Sequence, residues 1–569
     1  MTRHSELAEA YYALMKEDVF HALEVGVLDD IDVLPDVTAQ AYEQHAADCL
    51  TLADRIDAEA FPDNTFEEQL EMEQASGWLR AVALMKTADV GGTARHAVIP
   101  HALCNFLEQS EVYLARDLRN PDQIIGGMIS KLEQLPRYLK QESGRLDKPV
   151  EHWRDMELET ARGFKTFTDA ILDYAETNEY HSLATLKGKL DDANRSVDEY
   201  IAALDGMETR REMYLSLEDA QNLFKYKGIT LSLDEMHSMA QDQLSGAVER
   251  LEGMKEGLIA KYDGIQEGAT VHDIADFLKK EFARTPDELV ACAEAEIARA
   301  TEFAYGPNGI VTSLEELGIP NVAGVVQTPR YLEALVPAAA IAVPATLSDS
   351  VATSTYYLST KQDSAGQIFN SVVSGVIAAH EVIPGHHYQG AVSSVYPSIV
   401  LGWSSCNDTL EGWTTYAVEE KMVENGFSPS ADPSLQLEEQ FIAQYDLLRM
   451  GGRVLFTLAC LTGDRKYLVN PIAEVPETDD IINASAEMYR DITHFSVGRV
   501  KAEIGVFTID GTYGTLYCIG NHELRRMDEA AQAKLGDDYN QKEFFAAVIG
   551  KGNRPLSMIE RILKHDEMI

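Results

Sequence analysis

His380-Glu381-Val382-Ile383-Pro384-Gly385-His386-His387 places three imidazoles and one carboxylate within eight residues, directly after the largely apolar run Val372 to Ala379. Thirty-one residues beyond His380, in Leu410-Glu411-Gly412-Trp413, stands a further glutamate. Neutral imidazoles and carboxylates form a donor set suited to Zn2+, and a carboxylate beside a ligand can serve as general base toward a metal-activated water. The stretch predicts a buried helix that carries metal ligands, and with it metal-assisted hydrolysis.

The spacing differs from HExxH, where histidines at i and i+4 share one face of a helix and reach one ion. On a regular helix His386, at i+6, lies about 9 Å along the axis and about 120° round it. His387, at i+7, returns to the face but about 10.5 Å away. Pro384 changes this geometry. It has no N–H for the His380 carbonyl, and its ring forces a kink. Gly385 then accepts whatever backbone angles the bulge requires. A local expansion at Pro384-Gly385 brings a second histidine back towards His380. The competing reading is a helix that ends at Ile383, followed by surface histidines.

Composition narrows the class. The 569 residues are 45% hydrophobic and 25% charged, as in ordinary folded proteins. The formal charge of −45 opposes nucleic acid and anionic membrane as partners, because no positive field is present to displace counterions. Six scattered cysteines (Cys49, Cys104, Cys292, Cys406, Cys460, Cys518) form no CxxC and no disulfide framework, and are expected to be free thiols in a reducing compartment. The first residues lack a signal core, and no apolar run is long enough to span a bilayer. A soluble cytoplasmic protein is expected.

Residues 1–305 read as successive helices forming an N-terminal region that covers a cleft, and 306–569 as the metal-binding catalytic region. Ser232-Leu233-Asp234-Glu235 is a capping box, followed by Met236, Ala240, Leu244, Val248 and Leu251 at helical spacing. Thr285-Pro286-Asp287-Glu288 opens another helix, predicted to run to Tyr305 and stop at Gly306-Pro307-Asn308-Gly309. Ser354 to Thr360 is rich in strand formers, which predicts a small β-sheet beside the metal helix. Its Tyr356-Tyr357 backbone could pair with an extended peptide if it lies at an edge, or serve as a core strand. From Ser371 to the C-terminus the pattern is helical again.

His380-Glu381 with Gly385-His386 resembles the gluzincin metallopeptidases. Their helix carries HExxH, HExGH or, in the dipeptidyl peptidase III group, HExxGH, and a glutamate on a following helix completes the set. HExxPGH extends that series and favours His386 as second ligand. More closely, the chain resembles the bacterial family catalogued as domain of unknown function 885. His380 to Gln389 reproduces its HExxPGHHxQ helix, and Glu411 to Ala417 its EGWxxYA segment. Tyr517-Cys518-Ile519-Gly520, Leu535 to Asp538, Phe544 and Gly552 to Leu556 extend the similarity over roughly 350–563. Departures lie at Thr457 and Leu461, where relatives carry aspartate and histidine, and at Tyr513, where they carry glutamine.

The resemblance implies a mainly α, gluzincin-like architecture with zinc held by His380, His386 and Glu411, and His387 as the alternative ligand. Glu381 is the expected general base. Tyr517 is the expected donor to the transition state, with Tyr513, His522 and Arg525 as alternatives. Asp408 is expected either to orient a ligand histidine or to cap the Glu411 helix. The function implied is a zinc metallopeptidase acting on short peptides. The alternatives are a hydrolase or biosynthetic enzyme for a non-peptide amide or ester, and a degenerate metal-binding protein. Retention of Glu381 argues against the last.

Overall fold

The computed structural model describes residues 3–59, 64–116, 119–285, 288–329, 339–348, 351–359, 370–396 and 398–569. Short polar signals start many of its helices. Thr65/Glu68, Asn120/Gln123, Ser232/Glu235 and Thr270/Asp273 form reciprocal capping boxes at the heads of Phe66–Thr87, Pro121–Arg145, Leu233–Lys261 and Val271–Glu281. Each box satisfies amides that have no acceptor inside the first helical turn.

Leu233–Lys261 buries Met236, Ala240, Leu244 and Leu251 on one face, with Val248 at its margin. That face packs on the long helix Gln436–Thr462, and each fully buried leucine contributes about 1.5–3 kcal/mol. The largest core joins residues from Ala81 to Leu278 with residues from Phe441 to Ile519, so it draws on both sides of residue 305.

Helix Leu289–Tyr305 ends where the Gly306–Gly309 break was expected. Its start differs. The Thr285 amide and hydroxyl both donate to Glu288, at 3.3 and 2.6 Å, yet regular helix begins only at Leu289. Pro286 and Asp287 lie outside the described residues.

A second core holds the candidate site. Trp413, Phe544, Phe545 and Ile559 fill it, beneath Ala379 of the helix Ser374–Glu381 and beside a three-stranded sheet. The strands are Asn321–Gln327, Ala339–Ala342 and Ala352–Leu358, with the last in the centre. Tyr356 pairs with Val325 in parallel and with Ile341 antiparallel. Both backbone edges of Tyr356-Tyr357 are therefore taken, and the peptide-pairing edge considered for them does not exist. The strand richest in aromatic side chains occupies the most buried position, while among the described strands Asn321–Gln327 lies at an edge with most of its residues exposed. Thr360 lies outside the described residues. Among the described residues no helix is long and apolar enough to cross a membrane.

Candidate metal centre

Helix Ser374–Glu381 stops one residue past His380, and a new helix, His386–Ser394, begins after four intervening residues. Between them the chain reverses through Val382 to Gly385, with a cis Ile383–Pro384 bond. Pro384 offers no N–H to the His380 carbonyl, and the Gly385 amide reaches past it to Ala379 at 2.9 Å. A Cβ at Gly385 would collide with the His380 carbonyl, so only glycine fits. The interruption is sharper than a kink, but it does not expose His386, which stays 9% accessible.

The reversal turns His386 back to His380. Their rings stand nearly perpendicular with centroids 4.8 Å apart. Glu411, on the short helix Asn407–Gly412, completes the group: its Oε2 lies 3.8 Å from His380 Nε2 and 3.6 Å from His386 Nε2. Tetrahedral ligands about 2.0–2.1 Å from zinc lie about 3.3 Å from one another, so these spacings need only a few tenths of an ångström of closure. Glu411 Oε2 is buried and has no hydrogen-bond partner. Burial would raise the Glu411 carboxyl, but the facing imidazoles and the Tyr513 hydroxyl hold it down at about 2. A buried, ionised and unpartnered oxygen between two imidazoles suits a cation.

Three ties hold this arrangement. Trp413 Nε1 donates to the Pro384 carbonyl at 2.8 Å, joining the reversal to the Glu411 helix. Gln389 Nε2 donates to the Thr409 carbonyl at 3.3 Å. Glycines then let Asn407–Gly412 touch the helix Tyr513–Leu535: a Cβ on Gly412 would stand 2.7 Å from the Gly520 Cα. At that approach the Tyr513 hydroxyl donates to Glu411 Oε1 at 2.6 Å.

Glu419 was not singled out from the sequence. Its Oε1 lies 2.7 Å from His380 Nδ1, where a carboxylate fixes the tautomer that presents Nε2 as acceptor. The helix after Glu411 is a π-helix, Trp413–Met422. Its i+5 bonding alters the phase of Glu419 relative to Glu411, so α-helical spacing does not reveal the pair. The orienting role considered for Asp408 is corrected accordingly. Asp408 accepts the Leu556 amide at 2.8 Å, and Cys406 occupies the N-cap position of its helix.

Two further expectations are corrected. His387 is turned away from the ligand group: one residue on, a helical side chain projects about 100° round the axis. It is fully buried, with Nδ1 2.8 Å from Ser354 Oγ and Nε2 3.1 Å from Asn321 Oδ1, and burial lowers it to about 4. Tyr517 stands one step back, its hydroxyl donating to that of Tyr513 at 3.3 Å. The phenol in contact with Glu411 is thus Tyr513, itself one of the departures from the family pattern. Thr457, another departure, faces Gly514 beside it, with a buried, unpartnered hydroxyl. Arg525 is paired with Glu420, and His522 is half exposed.

Glu381 is half-buried beside the group, and desolvation raises its carboxyl despite the opposing charges of His380 and His386. The buried Tyr356 phenol stands close enough to be raised further by the Glu381 charge, after burial itself. Glu381, His380, His386, Glu411 and Glu419 thus cluster within electrostatic reach of one another.

Fold and site define a mainly helical protein with a His-His-Glu candidate metal centre at a broken helix. The chain belongs to the family described as bacterial protein of unknown function (DUF885), whose model matches residues 20–563. No curated protein matches it. Two solved structures share the fold. One is titled a putative lipoprotein of unknown function from Shewanella oneidensis, with a TM-score of 0.74 and 16% identity over 99% of this chain and 100% of the other. The second, titled the putative lipoprotein from Colwellia psychrerythraea, has a TM-score of 0.78 and 15% identity over 99% of both chains.

Proposed function

We propose that the chain is a zinc-dependent hydrolase of gluzincin type that cleaves short peptides. The observation that carries this reading is Glu411 Oε2, buried and unpartnered while facing the Nε2 atoms of His380 and His386. Zinc held there would polarise a scissile carbonyl and acidify an attacking water. Glu381 takes the proton from that water and delivers it to the leaving amine. Glu419 keeps the His380 lone pair on Nε2, and Tyr513 fixes the second oxygen of Glu411. Tyr513 is the phenol in contact with Glu411, and Tyr517 acts through it.

The exposed edge strand Asn321–Gln327, whose first side chain reaches His387, favours a peptide over a non-peptide amide or ester. It offers backbone groups that an extended chain can pair with. The cytoplasm is the proposed compartment, since all six cysteines are unpaired. The titles of the two structural neighbours favour the cell envelope instead, and cell fractionation decides between the two.

The test is metal analysis followed by a screen of short peptides. One zinc per chain is expected, lost in His380→Ala and Glu411→Ala. Glu381→Gln should keep the zinc and lose about a hundred- to ten-thousand-fold in rate. A clean protein that takes up no zinc at neutral pH would overturn the reading.

A further inference from the structure

A second polar space lies at the other end of the metal helix. A cavity of about 60 Å³ opens there, lined by Lys279, Asn370, Tyr445, Asp446, Arg449 and Arg499 among others. Asn370, four residues before the helix begins, is fully buried. Its Oδ1 accepts the amides of Val372 and Val373 at 3.0 and 3.2 Å, which fixes the orientation of the side-chain amide. Its Nδ2 is then a buried donor with no partner.

Arg449 holds Asp446 through two bonds of 2.7 and 2.6 Å. One turn on, Arg453 spends Nε on Glu503 at 3.0 Å, while its Nη1 is buried without a partner. Arg499 shares Glu503 at 3.0 Å, and Lys279 lies 3.5 Å from Asp276. Among the described residues four cations thus meet three carboxylates there, in a chain whose formal charge is −45. The unused Asn370 donor, with the Arg449 and Lys279 cations on the same lining, suits a carboxylate. A water needs at least about 10–15 Å³ of such space, so the cavity takes a carboxylate-sized group and excludes a whole peptide.

The cavity is tied to the candidate metal centre by distance and by contact. The metal helix has eight residues, which spans about 12 Å, or three to four residues of extended chain at about 3.3–3.6 Å each. The guanidinium groups of Arg449, which lines the cavity, and of Arg453, one turn behind it, lie 5.7 and 4.8 Å from the Tyr517 ring centroid. Tyr517 leads through Tyr513 to Glu411.

We propose that this cavity binds the C-terminal carboxylate of the substrate, making the enzyme selective for short peptides with a free C-terminus three or four residues beyond the cleaved bond. The proposal rests on the peptidase reading for its substrate, but its binding step is measurable without turnover.

The test compares tetra- to hexapeptides as free acids and as C-terminal amides on the zinc-loaded full chain. Two assays run in parallel: hydrolysis, and calorimetric binding to the Glu381→Gln variant. Bonds to a charged group predict a preference for the acid of about ten- to a hundred-fold, carried in KM and in affinity. Arg449→Met should collapse that ratio. Asn370→Asp, which keeps the Oδ1 acceptor but replaces the free donor with a negative charge, should collapse it without disturbing the Arg449–Asp446 pair. Equal KM and affinity for acid and amide in the parent protein would overturn the proposal. So would a preference that survives both substitutions. If no peptide is cleaved, yet acids bind selectively and Asn370→Asp removes the selectivity, the subsite stands and the peptidase reading falls.

Discussion

Replacing Gly520 with alanine sets two effects of opposite sign against each other. Gly520 lies inside the helix Tyr513–Leu535, where alanine is ordinarily favoured by about 0.5–1 kcal/mol. Here an added Cβ would stand 2.7 Å from the Gly412 Cα, nearer still to the Asp408 carbonyl, and ordinary contact begins at 3.4 Å. Restoring ordinary contact with that carbonyl, 2.1 Å away, asks the two helices to separate by about 1.3 Å, and overpacking of this kind costs about 1–3 kcal/mol. The clash should win, with a net loss of about 1–2 kcal/mol. Tyr513 is seven residues earlier, two turns along the same face, so its 2.6 Å bond to Glu411 is stretched by the same shift. Metal-ligand distances tolerate only about 0.2 Å, and zinc affinity should fall at least about ten-fold. Urea unfolding and a chelator competition read the two effects. Gly163→Ala is the control: it lies in Glu151–Thr177 with nothing within 4 Å of its would-be Cβ, and should gain about 0.5–1 kcal/mol. If Gly520→Ala gains stability like the control and binds zinc unchanged, the close-contact argument is wrong.

Four other substitutions probe three separate links. His386→Ala should strip the metal, whereas His387→Ala should keep it and lose stability through the unpaired Ser354 and Asn321; zinc analysis showing the reverse would return the ligand role to His387. Glu419→Gln should weaken zinc binding about ten- to a hundred-fold, as loss of a carboxylate behind a ligand histidine does elsewhere, and an unchanged chelator titration would count against its role. Burial raises Asp408 from 3.8 to about 7 in the folded chain, so folding favours its protonated form and stability is lost as pH rises from about 4 to about 7. Asp408→Asn keeps an acceptor for the Leu556 amide and cannot ionise. It should gain on the parent over that range by on the order of a few kcal/mol, and parallel unfolding curves from pH 5 to 8 would refute the assignment.

What could be read in the sequence was what is local. Capping boxes such as Ser232/Glu235 name their own helices, and the Gly306 break stops one. Pro384-Gly385 announces an interruption because proline removes one N–H and glycine permits a backbone approach that no side chain survives. That a histidine returns towards His380 follows from the same interruption, whereas the choice of His386 and the pairing with Glu411 come from the resemblance to the family motifs. Glu419 could not be anticipated, because a π-helix shifts its phase. Nor could Tyr513 be preferred over Tyr517, since that choice depends on how closely Gly412 and Gly520 let two distant helices meet. The Tyr356 strand had the right composition, but its central place is set by which strands flank it.

The bond from Trp413 to the Pro384 carbonyl has a consequence for the order in which the chain assembles. It closes a loop of about thirty residues, and the approaches of Glu411 and Glu419 to His380 close loops of about thirty and about forty. Bringing Tyr513 to Glu411 closes a loop of about a hundred residues. Each doubling of loop length adds about 0.6 kcal/mol of closure entropy, so the distant contact costs roughly 1 kcal/mol more to form. Low contact order favours early formation. The segment from His380 to Glu419 should therefore gather its imidazoles and carboxylates as a local unit, and the helix bearing Tyr513 should dock on it afterwards. In hydrogen exchange during refolding, the Tyr388 and Gln389 amides, bonded to the Val382 and Gly385 carbonyls across the reversal, should gain protection before those following Tyr513.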